Sequence, residues 1–395
     1  MSPDSRAACT ALAAFSSLDA QFPYALRAWG DPCRCVSLLG LTTTAPSTRS
    51  LKRRPLGATS TSTLLGMKLL VTGGAGFIGS HYVRSVLGNA WGGAIPESVV
   101  VLDKLTYAGN KANLLPVADD DRLHFVEGDI LDYELVDKLM SDVDAVVHFA
   151  AESHVDRSIS GATDFVMTNV VGTHTLLDAA MRHRMKKFVH VSTDEVYGSI
   201  ESGSWTEAEP LQPNSPYSAS KASSDLLARS YHRTHGVPVC ITRCSNNYGP
   251  YQFPEKLIPL FVTNLIDGEH VPLYGEGANV RDWLHVDDHC RGIHLVLDGG
   301  RAGEVYNIGG GTEMTNKELT GLLLEATGTG WDRVDRVADR LGHDLRYSVD
   351  IAKISSELGY RPHKVFEDGL AETIEWYRYH REWWEPLKHP GGPRS

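Results

Sequence analysis

Five side chains able to move protons crowd into one short span of this chain. Val191–Gly198 reads VSTDEVYG and Tyr217–Lys221 reads YSASK, giving a hydroxyl (Thr193), two adjacent carboxylates (Asp194 and Glu195), a phenol (Tyr217) and an amine (Lys221). Tyr217 and Lys221 are four apart and share one face of a helix. A free phenol, with a pKa near ~10, is a poor base at neutral pH. A nearby ammonium is expected to lower that value, so that Tyr217 takes a hydroxyl proton while hydride leaves the same carbon. Two close carboxylates resist joint ionisation, so burial beside Glu195 would let Asp194 keep a proton and act as an acid. The bland alternative for this pair is surface charge at a strand end. Next to a redox cofactor, the set suggests transient oxidation of a substrate, acid/base chemistry on it, and return of the hydride.

The cofactor turn stands upstream. Leu69–His81 reads LLVTGGAGFIGSH, with Gly73, Gly76 and Gly79 at GxxGxxG spacing after an apolar strand and before a helix. Glycine lets the backbone approach a pyrophosphate closely, and the helix N-terminus then faces its charge. Asp103, at the end of the second strand, can accept from a ribose 2′-hydroxyl and would repel a 2′-phosphate, which favours NAD over NADP even with Lys104 beside it. Asp129, after the third strand, reads either as an adenine contact or as a helix cap.

These residues need a scaffold, and the pattern supplies one. From Met67 the chain alternates strand and helix: KLLVTG, a helix over Phe77–Leu87, then strands at Val99–Lys104, Leu123–Ile130 and Ala145–Ala151. A helix over Phe165–Arg182, the strand KFVHVSTD, a helix over Ser218–His235 and the strand Val237–Cys244 follow. Apolar, β-branched strands of this kind suit a parallel sheet covered on both faces. The fold expected is α/β: a Rossmann-type doubly wound parallel sheet over 67–249, with a smaller C-terminal α/β substrate lobe over 250–395. Pro250, Pro254 and Pro259 punctuate that lobe, and Val271–Gly275 and Glu304–Gly310 read as short strands in it.

Residues 1–66 differ, with seven Arg or Lys against three Asp and no Glu. They read as a disordered extension: a transit peptide, or an over-long start with Met67 as the natural initiator. A net charge of -11 argues against a nucleic-acid partner, and no apolar run approaches the length of a membrane span. The six cysteines form no disulfide or zinc framework, and the seventeen histidines give no HExxH-type cluster. No metal is expected, and a reducing, cytoplasmic setting is.

Taken with DKLTYAGN (Asp103–Asn110), AAESHVDRSI (Ala150–Ile159), SNNYGPYQFPEKLIPL (Ser245–Leu260) and VRDWLHVDDH (Val280–His289), these features resemble the extended short-chain dehydrogenase/reductase family. The resemblance covers nearly all of 67–380, and within that family it points to the dTDP-glucose 4,6-dehydratases. It implies NAD held by Gly73, Gly76, Phe77, Ile78, Gly79, Asp103, Lys104, Leu105, Thr106, Asp129, Ile130, Ala150, Ala151, Thr168, Tyr217, Lys221 and Asn247. It implies a nucleotide sugar held by Ser153, Thr193, Asn246, Lys256, Leu257, Pro272, Tyr274, Arg281, Asn316, Arg340 and His343.

Within this resemblance Tyr217, assisted by Thr193, removes the O4 proton as the C4 hydride passes to NAD, Glu195 removes the C5 proton, and Asp194 protonates the departing C6 hydroxyl. It also implies a homodimer through the helices near Phe165–Arg182 and Ser218–His235. Leu341 departs from the proline usual after Arg340 in the family, which weakens the assignment of Arg340. The rivals are a UDP-glucose 4,6-dehydratase with the same catalytic set, a 4-epimerase, which has no use for Asp194 and Glu195, and a non-catalytic binding module.

Overall fold

The structure, a computed structural model, describes residues 65–388. The expectations for the N-terminal extension fall outside the described residues, apart from its last two. β1 (Lys68–Thr72) leads through the glycine turn into α1 (Phe77–Leu87), then β2 (Ser98–Asp103), β3 (Leu123–Glu127), α2 (Tyr133–Met140) and β4 (Ala145–His148). α3 (Val155–Ser160) and α4 (Thr163–Phe165) follow, and a π-helical turn, Val166–Gly172, joins α4 to α5 (Thr173–Arg182). β5 (Lys187–Thr193), α6 (Pro216–His235), β6 (Val239–Cys244) and β7 (Asn246–Tyr248) complete the catalytic stretch.

Beyond it lie α7 (Leu257–Ile266), β8 (Val271–Tyr274), β9 (Val280–His285), α8 (Val286–Gly299), β10 (Val305–Ile308), β11 (Glu313–Thr315) and α9 (Asn316–Thr327). β12 (Val334–Val337), α10 (Ala352–Leu358), α11 (Phe366–Tyr379) and α12 (Arg381–Lys388) end the described chain.

The main sheet has seven strands in the order β10-β6-β5-β4-β1-β2-β3, all paired in parallel. Side chains alternate across it with the two-residue period of a strand. Leu69 and Val71 enter one core with Tyr82, Ile293 and Val296, while Leu70 enters the other with Val136, Leu176 and Leu177. Truncating one such buried leucine to alanine costs about 2–5 kcal/mol. The strand order reverses between β1 and β4, and a crevice opens there at the carboxyl ends. β11-β9-β7 and β12-β8 form two small sheets, and a third core joins Phe261, Leu319, Leu323, Ile374 and Trp384.

Three expectations need correction. Val305–Ile308 is no strand of the C-terminal lobe; it pairs with β6 and forms an edge of the main sheet. Phe165–Arg182 is not a plain α-helix, because its Val166–Gly172 turn is π-helical. The strands also end earlier than read: β4 stops at His148, leaving 149–154 as a loop over the crevice.

Candidate active site

The glycine turn is built by mutual close approach. Gly73 has φ +70°, and a Cβ there would stand 2.6 Å from the Ala150 nitrogen. A Cβ on Gly79 would meet the Gly73 carbonyl oxygen at 2.2 Å, so no larger residue fits at either place. Gly76 precedes α1 and offers it no side-chain cap, which leaves first-turn N–H groups for an anion. Asp103 accepts from Ala75 N (2.9 Å) and Leu105 N (2.8 Å), fixing its carboxylate at the rim of the turn. A bare backbone cradle, a free helix N-terminus and a carboxylate at the second strand's end fit a dinucleotide with a 2′-hydroxyl.

One cleft, of about 500 Å³, takes in both halves of the expected site. Gly73, Gly76, Phe77, Ile78, Gly79, Asp103, Lys104, Thr106, Asp129, Ile130, Ala150, Ala151, Thr168 and Asn247 line its cofactor end. Leu105 is the exception: it does not line the cleft, and it serves Asp103 through its backbone N–H, with φ 54°. Asp129 is not the cap of α2, a role Asp132 fills by accepting from Leu135 N; instead Asp129 pairs with Lys104 at 2.6 Å.

The reacting groups meet where β5 ends. Thr193 is its last residue, and a 3₁₀ turn, Asp194–Tyr197, carries the two carboxylates into the cleft. α6 faces them, its start set by a Ser215/Ser218 capping box with Pro216 in the first turn, its end by Gly236 in the left-handed conformation. Tyr217 and Lys221 are both buried, and Lys221 Nζ donates to the Val191 carbonyl at 2.8 Å.

Burial, reinforced by Glu195 and Asp282, pushes Asp194 well above the ordinary carboxylate range, as an acid requires. Burial raises Glu195 too, but Arg281 and Lys256 oppose it, which favours its ionised form more than that of Asp194. Thr193 Oγ1 donates to Asp194 Oδ1 at 3.2 Å and accepts from Glu195 N at 3.3 Å.

The expected lowering of Tyr217 is not what the protein groups alone produce. Burial and the Glu195 carboxylate push its phenol well above the ordinary value, with Thr193 pulling the other way. Lys221, itself brought down to about 8 by burial, is occupied by a backbone carbonyl.

The far end of the cleft collects Ser153, Asn246, Lys256, Leu257, Pro272, Tyr274, Arg281, Asn316, Arg340 and His343 from distant segments. Its cations already have partners within the chain. Arg281 donates to the Asp344 carbonyl at 2.9 Å and lies over the Tyr347 ring; Lys256 donates to the Ser153 carbonyl at 2.9 Å. Arg340 pairs with Asp156 at 2.5 Å, and His343 with Asp339 at 2.7 Å. Leu341 is exposed, and Arg340 reaches the cleft beside it despite the missing proline. Asp194 Oδ2, Asn246 Oδ1 and Asn316 Oδ1 are buried with no partner in the protein, as suits a ligand rich in hydroxyl and amide donors.

Three contributors escaped the sequence reading. Asn169 bonds both N–H and C=O of Glu152, and donates to Ser220 Oγ at 2.8 Å, tying the loop after β4 to α6. It sits in the π-helical turn, which no residue pattern announces. Asp156 was inside a quoted motif and read only as part of it. Tyr347 had no signal beyond being aromatic.

A glycine cradle and a buried Tyr–Lys helix at a sheet's switch point define a Rossmann-type enzyme of the short-chain dehydrogenase/reductase class. The family model described as GDP-mannose 4,6 dehydratase matches residues 70–373. The chain is 67% identical over 331 residues to a dTDP-glucose 4,6-dehydratase of Streptomyces antibioticus, covering 83% of this chain and 98% of that one. A solved dTDP-glucose 4,6-dehydratase of Streptomyces venezuelae, DesIV, with NAD and dTDP bound, superposes with TM-score 0.81 and 67% identity, over 81% of this chain and all of that one. A UDP-glucose 4-epimerase of Thermotoga maritima shares the fold with TM-score 0.72 and 33% identity, over 79% of this chain and 99% of that one. The chain belongs to the nucleotide-sugar 4,6-dehydratases of the extended short-chain dehydrogenase/reductase family.

Proposed function

We propose that the chain is an NAD-dependent hydro-lyase that converts dTDP-glucose to dTDP-4-keto-6-deoxyglucose. The observation that carries this reading is the Asp194–Glu195 pair, Asp194 buried and Glu195 partly so, set against Tyr217 and Lys221 in the cleft that holds the glycine turn. The C5 proton of glucose is not acidic and C6 hydroxide leaves poorly; a ketone at C4 makes the first removable as an enolate is formed.

Tyr217 takes the O4 proton, with Thr193 aligning the hydroxyl and Lys221 supporting the charge. Bound NAD would supply both the acceptor for the C4 hydride and the donor that returns it to C6. Glu195 removes the C5 proton, and Asp194, kept protonated by burial and by Glu195, gives its proton to the C6 hydroxyl, which leaves as water. Reprotonation at C5 completes a cycle with no net redox change. Arg281 and Arg340 would hold the diphosphate, exchanging their present partners for phosphate oxygens.

The thymine form of the substrate rests on the names of the relatives. A UDP-glucose 4,6-dehydratase shares every catalytic group and differs only at the base pocket. A homodimer is also proposed: Val166, Met167, Val171 and Leu226, on the π-helical turn and α6, are apolar and exposed. A cytoplasmic location is proposed from the buried free thiols Cys240, Cys244 and Cys290.

The test is incubation of the purified chain with dTDP-glucose, and separately UDP-glucose, without reductant, following product mass. Loss of one water from dTDP-glucose with no net reduced cofactor supports the reading. Isomerisation without mass loss, or turnover of the uridine sugar alone, overturns it.

A further inference from the structure

Behind the reacting groups lies a second polar cluster that these steps do not use. Tyr217, Lys221 and Asp225 stand at i, i+4 and i+8 along one buried face of α6. Asp225 is met by Arg243 of β6, whose Nε donates to Asp225 Oδ2 at 2.8 Å and whose Nη1 donates to the Tyr197 hydroxyl at 2.7 Å. Tyr197 in turn donates to Asn307 Oδ1 on β10 at 2.9 Å. Asp225 and Arg243 are 0% and 1% exposed.

Tyr197 is the last residue of the 3₁₀ turn that begins with Asp194 and Glu195. One guanidinium therefore touches the helix that carries the Tyr–Lys pair and the turn that carries the acid and base. Stability is a weak account of such an arrangement. A fully buried ion pair loses nearly as much in desolvation as it gains by attraction, and apolar replacements are often as stable. Geometry is the better account, because the guanidinium fork holds two directions at once.

We propose that Asp225, Arg243 and Tyr197 are positioning residues that hold the Asp194–Glu195 turn in register with Tyr217 and Lys221, Asp225, one turn along α6 from Lys221, also supplying negative charge near its ammonium. This rests on the dehydratase reading above. The groups facing Lys221 are Asp225 and Tyr217 on its own helix, His148 on β4, His190 on β5, and Cys244 on β6, with Arg243 beyond Asp225. Burial keeps both histidines uncharged and pushes the Cys244 thiol up. Of these neighbours Asp225 is the one that carries negative charge at neutral pH, held down at about 2 by Arg243 and His190 against its burial.

The experiment compares wild type, Tyr197→Phe and Asp225→Asn, each loaded with NAD and given dTDP-glucose. Tyr197→Phe keeps the Asp225–Arg243 pair and removes the hydroxyl's two bonds, to Arg243 and to Asn307. It is expected to lower kcat about tenfold, with KM within about twofold, and to accumulate reduced cofactor at 340 nm, because oxidation proceeds while elimination lags. Asp225→Asn is expected to move the alkaline limb of kcat to lower pH by about one unit, since Lys221 loses its counter-charge. Should Asp225→Asn fail to fold, the Tyr197→Phe result decides alone. Reduced cofactor at the wild-type level with kcat unchanged, or an activity loss with an unmoved pH profile in a folded Asp225→Asn, overturns the proposal while leaving the dehydratase reading intact. A wild-type chain that releases no water overturns both.

Discussion

The two ends of the cleft are made differently. The cofactor end is backbone: glycines packed against one another, an uncapped helix start, and Asp103 held by two N–H groups. The nucleotide-sugar end is side chains drawn from α3, α7, β8, β9, α9 and the loop after β12, and its cations are already engaged by the protein's own oxygens. A backbone site is rigid and admits its ligand by shape. A side-chain site must trade partners, so its affinity is the difference between two sets of bonds. The acid/base pair sits at the seam and serves chemistry at both.

That contrast can be broken. The largest effect is expected from Glu195→Gln: a kcat lower by about 10²–10⁴-fold, with both NAD and dTDP binding unchanged by titration. If either ligand weakens strongly, Glu195 belongs to one end and not to the seam. Gly73→Ala places a methyl against the Ala150 backbone at a left-handed φ. It should weaken NAD by about tenfold or more while leaving dTDP affinity in place. Arg340→Ala should do the converse, raising the dTDP dissociation constant about tenfold, and Asp156→Asn, which frees Arg340, should tighten it modestly. Parallel loss of both ligands in either variant would show that the ends are coupled and the distinction false.

The smallest effect concerns stability. Asp194 has its folded pKa raised above the unfolded value of 3.8, mainly by burial. Its contribution is therefore fully present below that unfolded value and is lost as pH rises through the folded one. Asp194→Asn should melt higher than wild type at pH 8, with the gap closing toward pH 4. A gap that is constant with pH would mean that Asp194 is not the titrating group.

The same contrast explains what could be read from residues alone. The glycine turn, the Asp194–Glu195 pair and Tyr217–Lys221 are local, so their spacing carries their geometry. Arg281, Arg340 and His343 came only through resemblance, since nothing local marks them as neighbours. Asn169 was missed because a π-helical turn shifts the helix phase without altering the apolar pattern around it. The direction of Tyr217 was misread because the ammonium was counted while desolvation and the Glu195 carboxylate, which push the phenol up, were not. β10 was placed in the wrong lobe because strand pairing is a long-range property that a short apolar run does not encode.

That last strand has a mechanical consequence. The chain leaves the main sheet after β6, builds most of the substrate side, returns to lay β10 along β6, and then leaves again. The two sides are joined by three passages of chain, so no single segment serves as their hinge. A protease cut between α7 and β8 would still leave them fastened through the two passages that flank β10.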